Sequence, residues 1–152
     1  MKAERSLKGI LTVEHRDKTG KVIDKDQVEN VITKAGIAAA AALLLADVAE
    51  DAFDYIAIGT GTTAASSSDT TMETETHREA AAGSRTTDTI TNDTAHLEHT
   101  FSGYSGTESI TEAGALNAAS GGDLLNRQVF TAKNVDWDAG DTLTIKIDIV
   151  NS

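Results

Sequence analysis

The most constraining feature of this chain is the strict alternation of apolar and polar residues near its end. Leu143, Ile145, Ile147 and Ile149 would share one face of an extended strand, with threonine, lysine and aspartate between them. Period-two alternation built on branched residues is typical of a strand that is buried on one face. The pattern therefore predicts a half-buried strand in a sheet that packs against a second layer.

Shorter segments with strand character precede this strand, and turn residues separate them. Residues 7–13 alternate imperfectly, residues 17–21 supply a turn around Gly20, and residues 22–28 can return as the second arm of a hairpin. Further candidate strands are residues 53–58, 97–103, 110–116 and 124–132. Two more are expected, one on each side of a break near Gly83. We predict one mainly β domain over residues 1–152, an antiparallel β-sandwich with one apolar α-helix inserted after an N-terminal hairpin. Residues 1–28 would form the hairpin or docking arm, and residues 29–152 the sandwich.

The inserted helix is predicted at about residues 34–46. Thr33 is a suitable N-cap, because its hydroxyl can accept a hydrogen bond from a free amide of the first turn. The sequence Ile-Ala-Ala-Ala-Ala-Ala-Leu-Leu-Leu-Ala that follows is apolar on all sides, and such a helix must be covered on most sides. We therefore expect it at a subunit contact, with Leu43, Leu44 and Leu45 divided between the subunit's own core and a neighbouring subunit.

The charge balance constrains the partners of the chain. Thirteen Lys and Arg residues stand against 24 Asp and Glu residues, which gives a formal net charge of -11. That excess disfavours binding to the phosphate backbone of a nucleic acid. It would suit a protein that stays hydrated at high salt, although many soluble proteins are equally acidic. The longest apolar run, about 12 residues, is shorter than the roughly 20 that cross a bilayer, so we expect no membrane insertion.

The sequence shows no pattern typical of a catalytic, cofactor or metal site. The run Gly59-Thr-Gly61-Thr lacks the Lys-Ser or Lys-Thr of a phosphate-binding loop and is better explained as a turn at a strand end. His96 and Glu98 would point to one side of a strand and His99 to the other, so the three cannot share a metal. The chain has no cysteine. We therefore expect a protein without catalytic residues, cofactor or metal.

Two aromatic residues are candidates for a ligand-facing surface. Trp137 lies in an acidic turn before the last strand, and Tyr104 follows a predicted strand. Either ring can face a carbohydrate or a partner, but a tryptophan at this position also suits the open end of a sandwich core.

The order of several weak signals resembles a known family. The signals are Asn30-Val-Ile-Thr33 with Gly36, the apolar helix, Tyr55-Ile-Ala-Ile-Gly-Thr-Gly-Thr62, Asp69-Thr70 with Glu75 and Arg78, Ile110-Thr-Glu-Ala-Gly114, Ser120-Gly-Gly-Asp-Leu-Leu-Asn-Arg127 through Phe130, and Asp141-Thr-Leu-Thr-Ile145. In this order, from Glu29 to Asn151, the chain resembles small structural proteins of tailed viruses, found among tail-fibre, baseplate and particle-surface genes. The usual proline after Gly-Thr-Gly-Thr is replaced here by Ala64-Ala-Ser66.

The resemblance implies a β-rich, homo-oligomeric virion protein without enzymatic activity. It would be exposed on the particle as a capsid decoration (turret-like) subunit, or as a tail-fibre or baseplate subunit, in contact with other capsid or tail proteins. The alternative is a carbohydrate- or host-surface-binding module that uses Trp137, Tyr104 and nearby carboxylates to bind host cell-surface glycans. A hydrolase of unknown type is a third hypothesis.

Overall fold

The computed structural model describes residues 7–46 and 49–151. Nine strands and one helix follow in the order β1 (Leu7–Arg16), β2 (Val22–Ile32), α1 (Lys34–Leu45), β3 (Tyr55–Gly59), β4 (Glu75–Ala80), β5 (Ala82–Thr86), β6 (Thr94–Phe101), β7 (Thr107–Leu116), β8 (Leu124–Asp136) and β9 (Thr142–Asn151). The strands pair antiparallel throughout. The predicted fold class is confirmed: the chain is mainly β, with one helix after an N-terminal hairpin.

The strands form two sheets that are joined along both edges. The first sheet has the order β2-β1-β9-β6-β5, and the second has the order β4-β3-β7-β8 with the end of β2. Strand β2 belongs to both, because residues 22–30 pair with β1 whereas Val31 and Ile32 pair with β8. At the other edge, β4 and β5 are one extended segment that passes between the sheets at Ala81, whose N–H donates to the carbonyl of Asp54 at 2.7 Å.

A buried lysine connects β2 and β8 beyond their short stretch of pairing. Lys133 on β8 is 1% exposed, and its Nζ lies 2.9 Å from Asp24 Oδ2 and 2.6 Å from Asp26 Oδ2 on β2. Burial lowers the pKa of Lys133, but the two carboxylates raise it by more, so the ammonium stays charged. The ion pair thus joins the two sheets where backbone hydrogen bonds no longer do.

The core lies between the two sheets and is aliphatic. Leu143, Ile145 and Ile147 of β9 are fully buried, as their alternation predicts. Across the core they face the inward residues of the second sheet, among them Ile56, Ile58, Ile110, Ala113 and Ala115. Burial of each branched side chain contributes about 1.5–3 kcal/mol, which makes this layer the main source of stability.

The N-terminal hairpin is part of the sandwich, which corrects the prediction of a docking arm. Strand β1 lies between β2 and β9, in register with both along its length. Leu11 and Val13 of β1 are fully buried in the core. The hairpin supplies one central strand of the first sheet, β1, and the strand β2 that links the two sheets, so residues 7–28 do not project from the domain as an arm.

Helix α1 begins and ends where its sequence predicts. The Thr33 hydroxyl accepts the N–H of Gly36 at 2.9 Å, and the N–H of Thr33 itself donates to Leu125 O on β8. A Cβ on Gly36 would lie 2.5 Å from that same Leu125 oxygen, so only glycine allows the helix this close to the sheet. Ala46 adopts a left-handed conformation (φ 50°), and its N–H donates to Ala42 O, which ends the helix.

A second, smaller core lies on the outer face of the second sheet. Met72, in the connection between β3 and β4, packs with Ala57, Leu116 and Leu124. The long Thr- and Ser-rich segment of residues 60–74 therefore forms a fixed cover over the sheet. Ile90, in the connection between β5 and β6, is 67% exposed and lies outside this cover.

Candidate functional site

Four of the motifs that carry the family resemblance, those containing Gly61, Asp69, Glu112 and Arg127, meet at one place beneath the cover of residues 60–74. Glu112 on β7 is fully buried, and its carboxylate accepts the backbone N–H groups of Gly61 (3.1 Å), Glu73 (3.1 Å) and Thr74 (2.7 Å). A Cβ on Gly61 would lie 2.7 Å from Glu112 Oε1. The Gly-Thr-Gly-Thr run lies at the end of β3, as predicted, and continues as a loop rather than a turn; its second glycine admits the carboxylate of Glu112.

Arg127 on β8 completes this cluster. Its Nε donates to Glu112 Oε2 at 2.6 Å, and its two terminal nitrogens reach Asp69, Glu73 and the carbonyl of Thr63 at 3.0–3.1 Å. The residue is 2% exposed. Burial lowers the pKa of Arg127, but hydrogen bonds to Glu112 and Asp69 raise it by more. Both charges are thus paired and hydrogen-bonded, the condition under which buried charges are tolerated.

The Arg127–Glu112 cluster is architectural in its chemistry. The guanidinium directs all of its three nitrogens to protein acceptors, and Glu112 accepts four hydrogen bonds. Sequence reasoning did not single out Glu112 and Arg127 as a pair. The available signal was a charged residue inside each of two predicted strands, Glu112 in residues 110–116 and Arg127 in residues 124–132.

The two predicted aromatic residues come together with a histidine at one end of the sandwich. The rings of His77 and Tyr104 stack with centroids 3.7 Å apart, and Tyr104 meets Trp137 edge to face at 5.2 Å. Glu108 accepts the Trp137 indole N–H at 2.6 Å and lies 2.5 Å from His77 Nε2. Desolvation, followed by the hydrogen bond to Glu79, raises the pKa of the Tyr104 hydroxyl.

This aromatic cluster offers little ring surface to a ligand. Trp137 is 4% exposed and belongs to the main core. Of the two explanations for Trp137, the structure supports the one in which it closes the end of the core. One face of Tyr104 is covered by His77. A sugar ring that stacks on an aromatic residue needs an open face; Trp137 is buried, and one face of Tyr104 is taken by His77.

The histidines of β6 separate as their alternation predicts. His96 contacts Asp148 Oδ1 (2.7 Å) and Glu98 Oε2 (3.3 Å) on the outer face of the first sheet, whereas His99 packs against the ring of Phe101. Among residues 7–46 and 49–151, no group of three or more His, Cys, Asp or Glu side chains is arranged to hold a metal ion. Within the same residues, no helix has the length and apolarity that a membrane span requires.

Helix α1 leaves its predicted contact residues uncovered. Gly36 and Ala39 are its buried residues and face β8. On the other side Leu44 is 88% exposed, Leu45 is 72% exposed and Ile37 is 55% exposed. Apolar side chains of this size rarely cluster on the surface of a monomer unless the surface contacts another molecule. We call this set (Ile37, Leu44, Leu45) the helix ridge.

An apolar groove of about 470 Å³ runs beside the helix ridge. Leu43 and Ala40 of α1 form one wall, and Gly83 and Arg85 of β5 form the opposite wall. Leu97 and Ile149 lie at its floor, which is the end of the sandwich core. Leu43 is 40% exposed and faces this groove, whereas Leu44 and Leu45 do not line it. Helix α1 thus supplies residues to both the ridge and the groove.

No protein-family model matches the chain, and no curated protein or solved structure is significantly similar to it. The resemblance to tailed-virus structural proteins therefore rests on the order of the sequence motifs alone.

Proposed function

We propose that this protein is a non-enzymatic structural subunit that self-associates through the helix ridge. The assembly in this proposal is a tailed-virus particle, on whose surface the subunit serves as a capsid decoration (turret-like) protein or as a tail-fibre or baseplate protein. The observation that carries the proposal is the exposure of Leu44 and Leu45 on a helix whose opposite face is docked to the sandwich.

Physical chemistry supports apolar burial as the driving force of association. A net charge of -11 on each copy opposes contact between copies, so attraction must come from another source. Burial of one leucine side chain contributes about 1.5–3 kcal/mol, and two copies bring four such leucines from positions 44 and 45. Part of this energy is offset by the loss of translational and rotational freedom on binding.

The motif order supports the virion assignment in a different way. Gly59, Gly61, Glu112, Gly114 and Arg127 all belong to the packing around the cover of residues 60–74. Their arrangement holds a long loop on a sheet and provides no reactive group. Residues that serve architecture throughout are what a particle component without enzymatic activity requires.

The test is the oligomeric state of Leu44→Asp. We expect the wild-type protein to sediment as an oligomer, and Leu44→Asp to sediment as a monomer with an unchanged circular dichroism spectrum. Ile23→Asp is the matched control, because Ile23 is an exposed apolar residue (51%) on β2, away from α1. An oligomer that survives Leu44→Asp with its fold intact would refute the role of the helix ridge.

Two further observations distinguish the virion assignment from the alternative, a carbohydrate-binding module. Adjacent genes that encode capsid or tail proteins would support the virion assignment, and adjacent genes of unrelated function would count against it. A glycan-binding screen addresses the carbohydrate-binding module. A wild-type monomer that binds a defined sugar, with binding lost in Tyr104→Ala, would favour that module over the structural subunit.

A further inference from the structure

Strand β5 is an exposed and unprotected sheet edge. All five of its residues are exposed, and it stands at the end of the strand order. Its inner side pairs with β6, and its outer side pairs with no strand among the residues that the structure describes. Natural edge strands are usually protected by proline, lysine or a bulge. Here the sequence Ala-Gly-Ser-Arg-Thr has a single charge and no proline.

The small side chains of β5 leave space on both faces of this edge. On the inner face, Gly83 borders the apolar groove beside α1. On the outer face, a second groove of about 470 Å³ is lined by Ala82, Ser84 and the side chains of His96 and Glu98. A strand that adds to a sheet edge gains affinity from its backbone and specificity from such spaces for alternate side chains.

We propose that the strand which occupies this edge is β5 of a second copy, paired antiparallel about a two-fold axis at Ser84. This inference rests on the proposed self-association and specifies how the two copies pair. In a two-fold pair of strands, residues that lie opposite each other point to the same face. The pairing about Ser84 is the one that uses all five residues of β5. It joins the first sheet of one copy to the first sheet of the other in one continuous sheet.

The side chains of β5 complement one another in this register. Arg85 of one copy lies opposite Gly83 of the other, and Thr86 lies opposite Ala82, so each large residue meets a small one. A Cβ on Gly83 would meet nothing closer than Leu97 at 3.6 Å, which leaves room over the inner groove. The aliphatic part of Arg85 from the second copy can lie in that space. The register about Arg85 would instead place two guanidinium groups directly opposite each other, which is unfavourable.

The charges at the edge favour the same register. Arg85 has no carboxylate within 4 Å among the described residues of its own copy. Asp54 lies beside Ala81, two residues from Gly83, because its carbonyl accepts the Ala81 N–H. In the proposed register Arg85 of the second copy lies opposite Gly83, two residues from Ala81, and we expect its guanidinium to pair with the Asp54 carboxylate there. The two-fold axis creates this pair twice, in a protein whose overall charge would otherwise keep the copies apart.

Strand pairing and the helix ridge form one interface. Five paired residues alone bury less than the roughly 800 Å² per partner of a stable complex. The inner groove joins β5 to α1, since Gly83 and Arg85 form one wall and Leu43 the other. The strand edge therefore sets the register of the two copies, and the leucines of α1 add apolar area to the contact.

Disulfide cross-linking tests the register directly, because the chain has no cysteine. Ser84 of each copy would lie opposite itself with Cα atoms about 4.5–5.5 Å apart, which suits a disulfide. Two copies of Thr86 would lie about 14 Å apart along the strands, too far for one. Under mild oxidation we expect Ser84→Cys to form covalent dimers at least about ten times faster than Thr86→Cys. An equimolar mixture of Ala82→Cys and Thr86→Cys should yield the mixed dimer.

Charge reversal provides a second, independent measurement. Arg85→Glu should weaken the wild-type dimer at least about tenfold in sedimentation, and Arg85→Glu combined with Asp54→Arg should restore it. The single variant Asp54→Arg should also weaken the dimer, since it places two cations together. Equal dimer stability in all three variants would overturn the pairing of Arg85 with Asp54.

The outcomes distinguish this inference from the proposed function. If the wild-type oligomer dissociates in Leu44→Asp but Ser84→Cys cross-links no faster than Thr86→Cys, the strand pairing is wrong and the helix ridge remains the contact. If the wild-type protein is monomeric at all concentrations, self-association is refuted and the strand pairing with it. In that case the β5 edge is left to a strand of a different protein.

Discussion

Removal of the Arg127 guanidinium should destabilise the protein more than any change of an exposed ion pair. Arg127 and Glu112 have side-chain exposures of 3% and 0%, and their closest atoms are 2.6 Å apart. In Arg127→Met, the Glu112 carboxylate keeps its three backbone donors but loses the only cation that it contacts among residues 7–46 and 49–151. Breaking a buried pair in this way costs about 3–5 kcal/mol. That is a large part of the roughly 5–15 kcal/mol that stabilises a typical domain.

The measurement is the free energy of unfolding from urea titrations, together with the melting temperature. For a chain of this length each kcal/mol lowers the melting temperature by about 2–4 °C, so Arg127→Met should melt about 6–20 °C below the wild type. Arg16→Met is the control, because Arg16 also pairs with a buried glutamate, Glu14, but is itself 37% exposed. We expect that variant to lose less than about 1 kcal/mol.

A local readout would identify the cause of the loss. Because Arg127 contacts Thr63, Asp69 and Glu73, its removal should loosen the cover of residues 60–74 before the sandwich unfolds. Limited proteolysis should therefore cut Arg127→Met within this segment, and leave Arg16→Met intact there. Equal unfolding free energies for the two variants would refute the view that this cluster holds the cover in place.

Two further predictions concern pH and salt. Burial lowers the pKa of His96, but hydrogen bonds to Asp148 and Glu98 raise it by more, so the net pKa is raised. The protonated imidazole therefore stabilises the fold fully below about pH 6.5, and this stabilisation is lost as the pH rises through the raised pKa. The melting-temperature difference between wild type and His96→Gln should therefore be largest near pH 5.5 and shrink toward pH 9; a difference independent of pH would contradict this. Partial desolvation and the carboxylates of Asp123 and Asp51 raise the pKa of Glu50, which indicates crowding of like charges. Since the screening length falls from about 10 Å at 0.1 M salt to about 3 Å at 1 M, melting temperature and oligomer fraction should rise together between about 0.1 and 2 M NaCl, and a flat or falling curve would remove the argument from salt.

Local signals in the sequence were sufficient for the elements and their class. The alternation from Leu143 to Ile149 specified β9, and Thr33 specified the first turn of α1, because a strand face and a helix cap each depend on residues only a few positions apart. The break predicted near Gly83 falls at Ala81, two residues away, where the chain passes between the sheets. The exposure of Leu44 and Leu45 agrees with the prediction that α1 has more apolar surface than one domain can cover.

The position of each element relative to the others was decided by the tertiary structure alone. Nothing in the hairpin sequence indicates that β1 lies between β2 and β9, so the sequence alone predicts only a hairpin or docking arm over residues 1–28. The pairing of Glu112 with Arg127 joins two strands, and it reaches amides of a loop about 40 to 50 residues earlier in the chain. Such contacts depend on which strands become neighbours when the core is buried. Periodicity predicts the face of the strand or helix on which a side chain lies. The residue that it contacts on that face depends on packing across the whole domain.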